Sequence, residues 1–404
     1  MALFPANLRI MTSPAIPPAS RRMASVQAPI IPVIAELIRQ TPGTISLGQG
    51  VAYYGPPDSA LAAARNFGAK IEQHRYGPVD GIPELRERIE HKLAEDNAIA
   101  SLAGRRVVVT AGANMGFLNA LFAIADPGDE VILPLPYYFN QEMALRMLNC
   151  VPVFAPTDDH YQLRIDTLRA AITPKTRAIV TISPNNPSGA VYPEADLRAV
   201  NALCREHGLY HISDEAYEYF VHGEARHFSP ASIEGSEPHT ISLYSLSKAY
   251  GFASWRIGYM VIPEHLYDAV LKAQDTNLIC APLVSQHAAV AALDVGADYC
   301  RAHLRTIRQV RGLVLDELRS VADFCRIPSA DGAFYLLLKI ATALDSMALA
   351  DRLIREHGIA AIPGNAFGLD DGGYLRVAYG ALEPDTAAAG IRRLTAGLRA
   401  MAGG

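Results

Sequence analysis

Lys248 stands in the stretch SLSKAYGFASWR (245–256), directly after an apolar run. An ammonium group at the end of a buried strand costs solvation free energy unless something compensates it. Most lysines avoid that cost by standing in solvent, so this position asks for a chemical reason. Two reactive readings are available. Ser245-x-x-Lys248 has the spacing of a serine-hydrolase pair, but that chemistry also needs S-D-N and K-T-G elements. The nearest pieces, Ser213-Asp214-Glu215 and Lys175-Thr176-Arg177, do not supply them. The second reading makes Lys248 an amine nucleophile that forms a Schiff base with a carbonyl cofactor.

The elements around Lys248 help to decide. From about residue 106 the pattern alternates strand, loop and helix. RRVVVT (105–110) reads as a buried strand, followed by the small-residue loop AGAN, the helical run MGFLNALFAIA and the turn DPGD. EVILPLP, VPVFAP, RAIVTIS, LYHIS and HTISLYS continue the strands, with helices NQEMALRMLN and EADLRAVNALCREHG between them, the latter ending at Gly208. Short β-branched runs alternating with helices predict an α/β fold, a mostly parallel central sheet covered by helices on both faces. After about residue 300 a long amphipathic helix (302–323) precedes GAFYLLLKI (332–340), a helix near 345–357, YLRVAYG (374–380) and a final helix. This predicts a smaller α+β domain, completed by residues before 50. The expected division is residues 1–50 as N-terminal arm and part of the small domain, 51–295 as the large domain, and 296–404 as the small C-terminal domain.

Ligands of parallel sheets bind beyond the carboxyl ends of the strands, and the residues at those ends are chemically suggestive. AIVTIS runs into PNNPSG, which puts Asn186 on a tight turn. LYHIS leads to Asp214, with Tyr217 three residues on. ISLYS ends before Lys248, and VVVT ends at a loop where Gly112, Ala113 and Asn114 open a helix. Each feature alone has a plain explanation, such as a helix cap for Asp214. Their coincidence at one edge of one sheet is the signal.

SPNNPSGAVY, SDEAYEYF and SLSKAYGFASWRIGYMV, in this order and spacing, resemble the fold-type I pyridoxal-phosphate enzymes, specifically the class I/II aminotransferases. SLGQG (46–50), HRYGPVDGIPELR (74–86) and YLRVAYG agree with it, so the resemblance runs from about residue 45 to the C-terminus. It implies an aminotransferase that moves an amino group between an L-amino acid and a 2-oxo acid, with pyridoxal 5'-phosphate as cofactor. Lys248 matches the family's Schiff-base lysine, and Asp214 the carboxylate that keeps the ring nitrogen protonated. Asn186 and Tyr217 match the donors to the phenolic oxygen. Tyr138 matches the aromatic that stacks on the ring, with Tyr137 and Phe139 one register away. The Gly112-Ala113-Asn114 loop, Ser245 and Arg256 match the phosphate ligands, through backbone N–H groups at a helix start and a planar guanidinium fork. Tyr76 matches a tyrosine reaching the phosphate of a neighbouring subunit, which implies a homodimer with sites at the interface. Arg376 matches the arginine that grips the substrate α-carboxylate, backed by Gly50 and Asn186.

After LGQG this chain departs from many relatives and reads VAYYGPP. Tyr53 and Tyr54 thereby enter a segment that usually borders the substrate side chain, which suggests an aromatic or extended side-chain pocket. No second arginine for a dicarboxylic substrate is identifiable. Relatives of the same fold use the same cofactor residues for β-elimination, C–S cleavage or oxygen-dependent oxidation, so a lyase or an oxidase is the alternative. A cofactor-binding regulatory sensor is the remote one: it needs a DNA-binding domain that the Pro/Ala-rich residues before 45 cannot supply.

Composition bounds the rest. A net charge of −5 makes no electrostatic case for nucleic acid or an anionic membrane surface. No apolar stretch approaches the roughly 18 residues of a membrane span. The five cysteines are scattered, without C-x-x-C, which favours reduced thiols and a cytoplasmic location. No metal site is expected. Arg21-Arg22 hints at a twin-arginine signal, but the following segment is broken by prolines and Glu36, so a flexible arm that later packs is the preferred reading, with Met11 or Met23 as alternative starts to Met1.

Overall fold

The computed structural model describes residues 19–402; most of the expected N-terminal arm, residues 1–18, lies outside them. The main sheet has seven strands. Across it they run Arg105–Thr110, Gly258–Pro263, Thr240–Ser245, Tyr210–Asp214, Thr176–Ile182, Glu130–Leu135 and Val151–Pro156. All are parallel except Gly258–Pro263, which is antiparallel to both neighbours. The inner strands are buried along almost their whole length, because helices cover both faces and leave no side that could be polar. The helix Glu194–His207 ends where the sequence indicates, with Gly208 in the left-handed conformation at φ +65°.

The strand Gly258–Pro263 is not separated out by the sequence pattern, where GYMVIP reads as the tail of the lysine motif. Its direction matters to the site. Running opposite to its neighbours, it begins at the edge where they end, so Ser245 pairs with Gly258.

A second, four-stranded antiparallel sheet contains Ile362–Pro363, Gly373–Ala378, Tyr335–Ile340 and Cys325–Arg326 in that order. Ile45–Ser46 pairs in parallel with Ile359–Ala360, so the chain before residue 50 does reach this C-terminal part. The long helix runs Asp298–Leu318, four residues earlier than the pattern suggests, and ends in a 3-10 turn over Arg319–Val321. The acidic Asp298 in its first turn suits the positive end of the helix dipole.

The two sheets meet at the PNNPSG loop. Gly332 N–H donates to the Gly189 carbonyl at 2.8 Å. A Cβ on Gly189, at φ +75°, would stand 2.5 Å from the Tyr335 carbonyl oxygen. Only glycine permits that approach. Among the described residues no helix is long and apolar enough to cross a membrane, and all five cysteines are unpaired.

Candidate active site

At the carboxyl edge of the large sheet lies a cavity of about 110 Å³, partly open to solvent. Asn114, Tyr138, Asn186, Asp214, Tyr217 and Lys248 line it, together with the Ser245–Arg256 loop. The residues singled out at four separate strand ends are thus brought to one space. The register explains why: Ile182 lies opposite Asp214, and Asp214 opposite Leu243, so the three strands reach the edge together.

Lys248 sits on a single helical turn, Leu246–Ala249, whose first N–H groups are capped by Ser245: the Ser247 N–H donates to Ser245 Oγ at 3.1 Å. The Lys248 ammonium donates to the Gly50 carbonyl at 2.5 Å. Burial, reinforced by the Arg376 and Arg256 guanidiniums, pulls its pKa down to about 8 against the opposing pull of Asp214. Asp214 is perturbed the other way. Burial raises its carboxyl to about 6, although the Ala216 N–H and the Gln141 side chain both donate to it, at 3.2 and 2.9 Å. Gln141 is a site residue that sequence reasoning missed, since a polar residue on the helix Phe139–Met147 carries no mark of facing inward.

At the other end of the cavity, Gly112 caps the helix Ala113–Ile124 with φ +81°. A Cβ there would fall 2.3 Å from Arg256 Nη2, and one on Gly258 would fall 2.9 Å from the Ala113 nitrogen. Both glycines allow Arg256 and the helix start to crowd together. Arg256 itself has φ +55° and donates to the carbonyls of Ala253 and Ala111, at 2.8 and 3.2 Å. A guanidinium, serine hydroxyls and free N–H groups at a helix start form an anion cradle.

Arg376 is only 2% exposed. It donates to Asn186 Oδ1 at 2.9 Å and to the Gly48 carbonyl at 2.7 Å, while its Nε has no partner. The guanidinium carbon lies 4.6 Å from the Tyr335 ring centroid and 5.2 Å from that of Phe367. Among the described residues no carboxylate pairs with it. A buried cation held only by neutral groups is a receptor for an anion. Tyr335, in an apolar run that reads as core, is a second missed residue: its hydroxyl bonds that of Tyr217 at 2.6 Å.

The aromatic register resolves on Tyr138, which faces the cavity; Tyr137 is turned away and stacks on Phe154 at 5.1 Å. Tyr76 is not brought to the cavity within this chain and stands 82% exposed. Tyr53 and Tyr54 do not line the cavity either. Tyr54 is buried and donates to the carbonyls of Lys248 and Ala249, at 3.1 and 3.2 Å, while Tyr53 bonds His303 at 3.0 Å. Within this chain these two tyrosines brace the lysine turn and the long helix.

Residues 42–394 match the family model described as aminotransferase class I and II. The chain is 32% identical to the aromatic aminotransferase of Arabidopsis thaliana over 388 residues, covering 94% of this chain and 96% of that protein. It is 34% identical to the aspartate/prephenate aminotransferase of Thermus thermophilus, covering 86% and 89%. The structure of the Thermus thermophilus aspartate aminotransferase with maleate superposes with a TM-score of 0.87 at 30% identity, over 95% of this chain and all of that one.

Proposed function

The chain belongs to the class I and II aminotransferase family and is an aminotransferase; from that premise we propose that its cofactor is pyridoxal 5'-phosphate, held in the cavity by Lys248. The donor set fits that group at both ends. The cradle of Gly112, Ala113, Asn114, Ser245 and Arg256 suits a phosphate dianion, and crowding at Gly112 and Gly258 keeps Arg256 against it. Asp214, a buried carboxyl whose nearest donors are neutral, suits a cationic ring N–H, which would pull its pKa back down. When bound, the cofactor supplies an electron sink for cleavage of a bond at the amino acid Cα.

The chain's own residues do the rest. Lys248 would hold the aldehyde end and, as a free amine, would be placed to take up and return a proton at the substrate Cα. Its pKa of about 8 leaves a useful neutral fraction near physiological pH. Asp214 would keep the ring nitrogen protonated, Asn186 and Tyr217 would donate to the phenolic oxygen, and Tyr138 would stack on the ring. Arg376 takes the substrate α-carboxylate, with Gly50 and Asn186 beside it. The substrates are an L-amino acid and a 2-oxo acid.

The observation that carries this reading is the joint position of Lys248, Asp214 and Arg256 on one cavity, with Arg376 bonded at 2.9 Å to Asn186 in its wall. We further propose a homodimer: Tyr76, 82% exposed, and Ile71, 66% exposed, form an apolar projection suited to a second copy, whose cavity Tyr76 would complete. The five unpaired cysteines support a cytoplasmic location. We take residues 51–295 as the large domain, and the described residues of 1–50 together with those of 296–404 as the smaller one.

A half-reaction screen tests the function. Single L-amino acids are added anaerobically to the cofactor-loaded protein, and the released acid is identified by mass. Stoichiometric 2-oxo acid, with the amino group retained on the protein, is the expected result. Continuous ammonia release without an acceptor would instead make the protein a lyase.

A further inference from the structure

Tyr335 opens an inner strand of the small sheet, Tyr335–Ile340, yet its hydroxyl leaves the core and meets the Tyr217 hydroxyl at 2.6 Å. Tyr217 stands on the turn that follows the main-sheet strand Tyr210–Asp214, so the pair links the two parts of the fold. Each hydroxyl has the other as its one hydrogen-bond partner among the described residues. A hydroxyl carries one proton, so in such a pair one group donates and the other accepts. We propose that Tyr335 is a positioning residue that donates to Tyr217 and so directs the Tyr217 proton onto the cofactor's phenolic oxygen. The inference rests on the reading above, in which pyridoxal 5'-phosphate occupies the cavity with Tyr217 at that oxygen.

Three observations favour this direction. If Tyr217 donated to Tyr335 it would have no proton left for anything in the cavity. The Tyr335 hydroxyl is also walled in: a Cβ on Gly50 would lie 2.4 Å from it, so it has little room to turn elsewhere. Finally, Tyr335 is the more acidic partner, with the Arg376 guanidinium 4.6 Å from its ring centroid. Burial raises Tyr335 to about 12 while Arg376 restrains it, whereas Tyr217 is raised well above its ordinary value, chiefly by burial. The more acidic hydroxyl is the better donor. The other titratable groups facing the pair are Tyr138 and Lys248, the latter with Nζ 6.0 Å from the Tyr217 ring centroid. A hydroxyl that accepts one hydrogen bond donates more strongly in the next, by roughly 10–30%.

The test is a spectrophotometric pH titration of the cofactor-loaded Tyr335→Phe variant without substrate, beside wild type. A donor at the phenolic oxygen withdraws electron density and lowers the proton affinity of the cofactor's reactive end. Weakening it should therefore raise the midpoint of the visible band, by about half a pH unit. The phenyl ring keeps its place under Arg376, so kcat should fall while KM for the amino acid changes little. In a Tyr217→Phe background the same substitution should produce no further shift. Tyr335→Met, which also removes the ring, should shift the midpoint alike and raise KM as well. An unshifted midpoint in both variants, or an equal shift in the Tyr217→Phe background, would overturn the relay. A wild-type protein with no titrating band would instead refute the cofactor reading itself.

Discussion

Replacing Arg376 by lysine keeps a positive charge in the buried site and removes the planar fork. The structure sets the expected size of the effect. Arg376 holds two neutral acceptors, Asn186 Oδ1 and the Gly48 carbonyl, and no carboxylate. A substrate α-carboxylate would receive two parallel charge-assisted bonds from the fork, each worth about 1.5–3 kcal/mol. An ammonium supplies a point charge and one such bond in that geometry. Losing the other predicts a fall of roughly 10- to 150-fold in kcat/KM, at about 1.4 kcal/mol per factor of ten. The assay compares an L-amino acid with the amine of the same side chain that lacks the carboxylate. Arg376→Lys should depress the first by that factor and leave the slow reaction of the second within about threefold, since no bond to it is lost. A thermal unfolding curve near wild type would exclude a folding defect. A parallel fall for both substrates would refute the argument, because Arg376 would then be supporting the cavity rather than holding the carboxylate.

Other expectations follow from the same geometry. Lys248→Ala should abolish turnover, and borohydride treatment, which in wild type should fix the cofactor's mass on the peptide bearing Lys248, should leave that peptide unlabelled; labelling elsewhere in wild type would displace Lys248 from its role. Asp214→Ala should still bind the cofactor but lose most Cα proton exchange, measured by deuterium wash-in, and retained exchange would remove the electron-sink assignment. With its carboxyl raised from 3.8 to about 6 in the folded chain, Asp214 makes the cofactor-free native state bind more protons than the unfolded state between those values. Stability should then fall as pH rises from about 4 to about 6, by at most roughly 3 kcal/mol from this group, and urea unfolding of Asp214→Asn should lack that fall. Gly112→Ala puts a Cβ against Arg256 in a left-handed backbone. It should cost about 1–2 kcal/mol of stability and weaken cofactor binding about tenfold or more in an equilibrium titration; unaltered binding would separate the loop from the phosphate.

Lys248, Asp214 and Asn186 could be read from the sequence because they are anomalies. Each is a polar or charged residue directly following a run that reads as a buried strand, and a parallel sheet sends all such residues to one edge. Gln141 and Tyr335 offered no such anomaly. A glutamine in a helix is ordinary, and a tyrosine in GAFYLLL fits an apolar core. What makes them part of the site is a partner hydroxyl or carboxyl supplied by another element, which periodicity along one chain does not record. Tyr53 and Tyr54 stand apart from the cavity lining within this chain. Aromatic residues beside a substrate-facing segment are as well suited to packing, and here Tyr54 stacks on His303 with ring centroids 3.9 Å apart and holds the lysine turn by its carbonyls.

The strand Gly258–Pro263 explains why a lysine and an arginine eight residues apart line one cavity. Were this strand parallel to its neighbours, a crossover of a dozen or more residues would have to return the chain to the opposite edge of the sheet before it began. Arg256 would then stand a full strand length from Lys248. Because the strand instead runs back from the same edge, Ser245 and Gly258 are paired, and the loop between them carries both cations over one cavity. The reversal also brings Gly258 against the Gly112 backbone, where a side chain on either residue would force the loop and the helix start apart. The Arg256 guanidinium in the same short loop disfavours a second positive charge on the buried Lys248, and part of the fall in the Lys248 pKa is that repulsion. The same juxtaposition that crowds positive charge around an anion cradle therefore also prepares the lysine to act as a base. A swap of Arg256 for glutamine should consequently do two things at once: weaken anion binding at the cradle and move the Lys248 pKa upward. If the second effect, read from the pH dependence of Lys248 acylation in the cofactor-free protein, were absent, burial and Arg376 would account for the depressed lysine and the two functions of the loop would be separable.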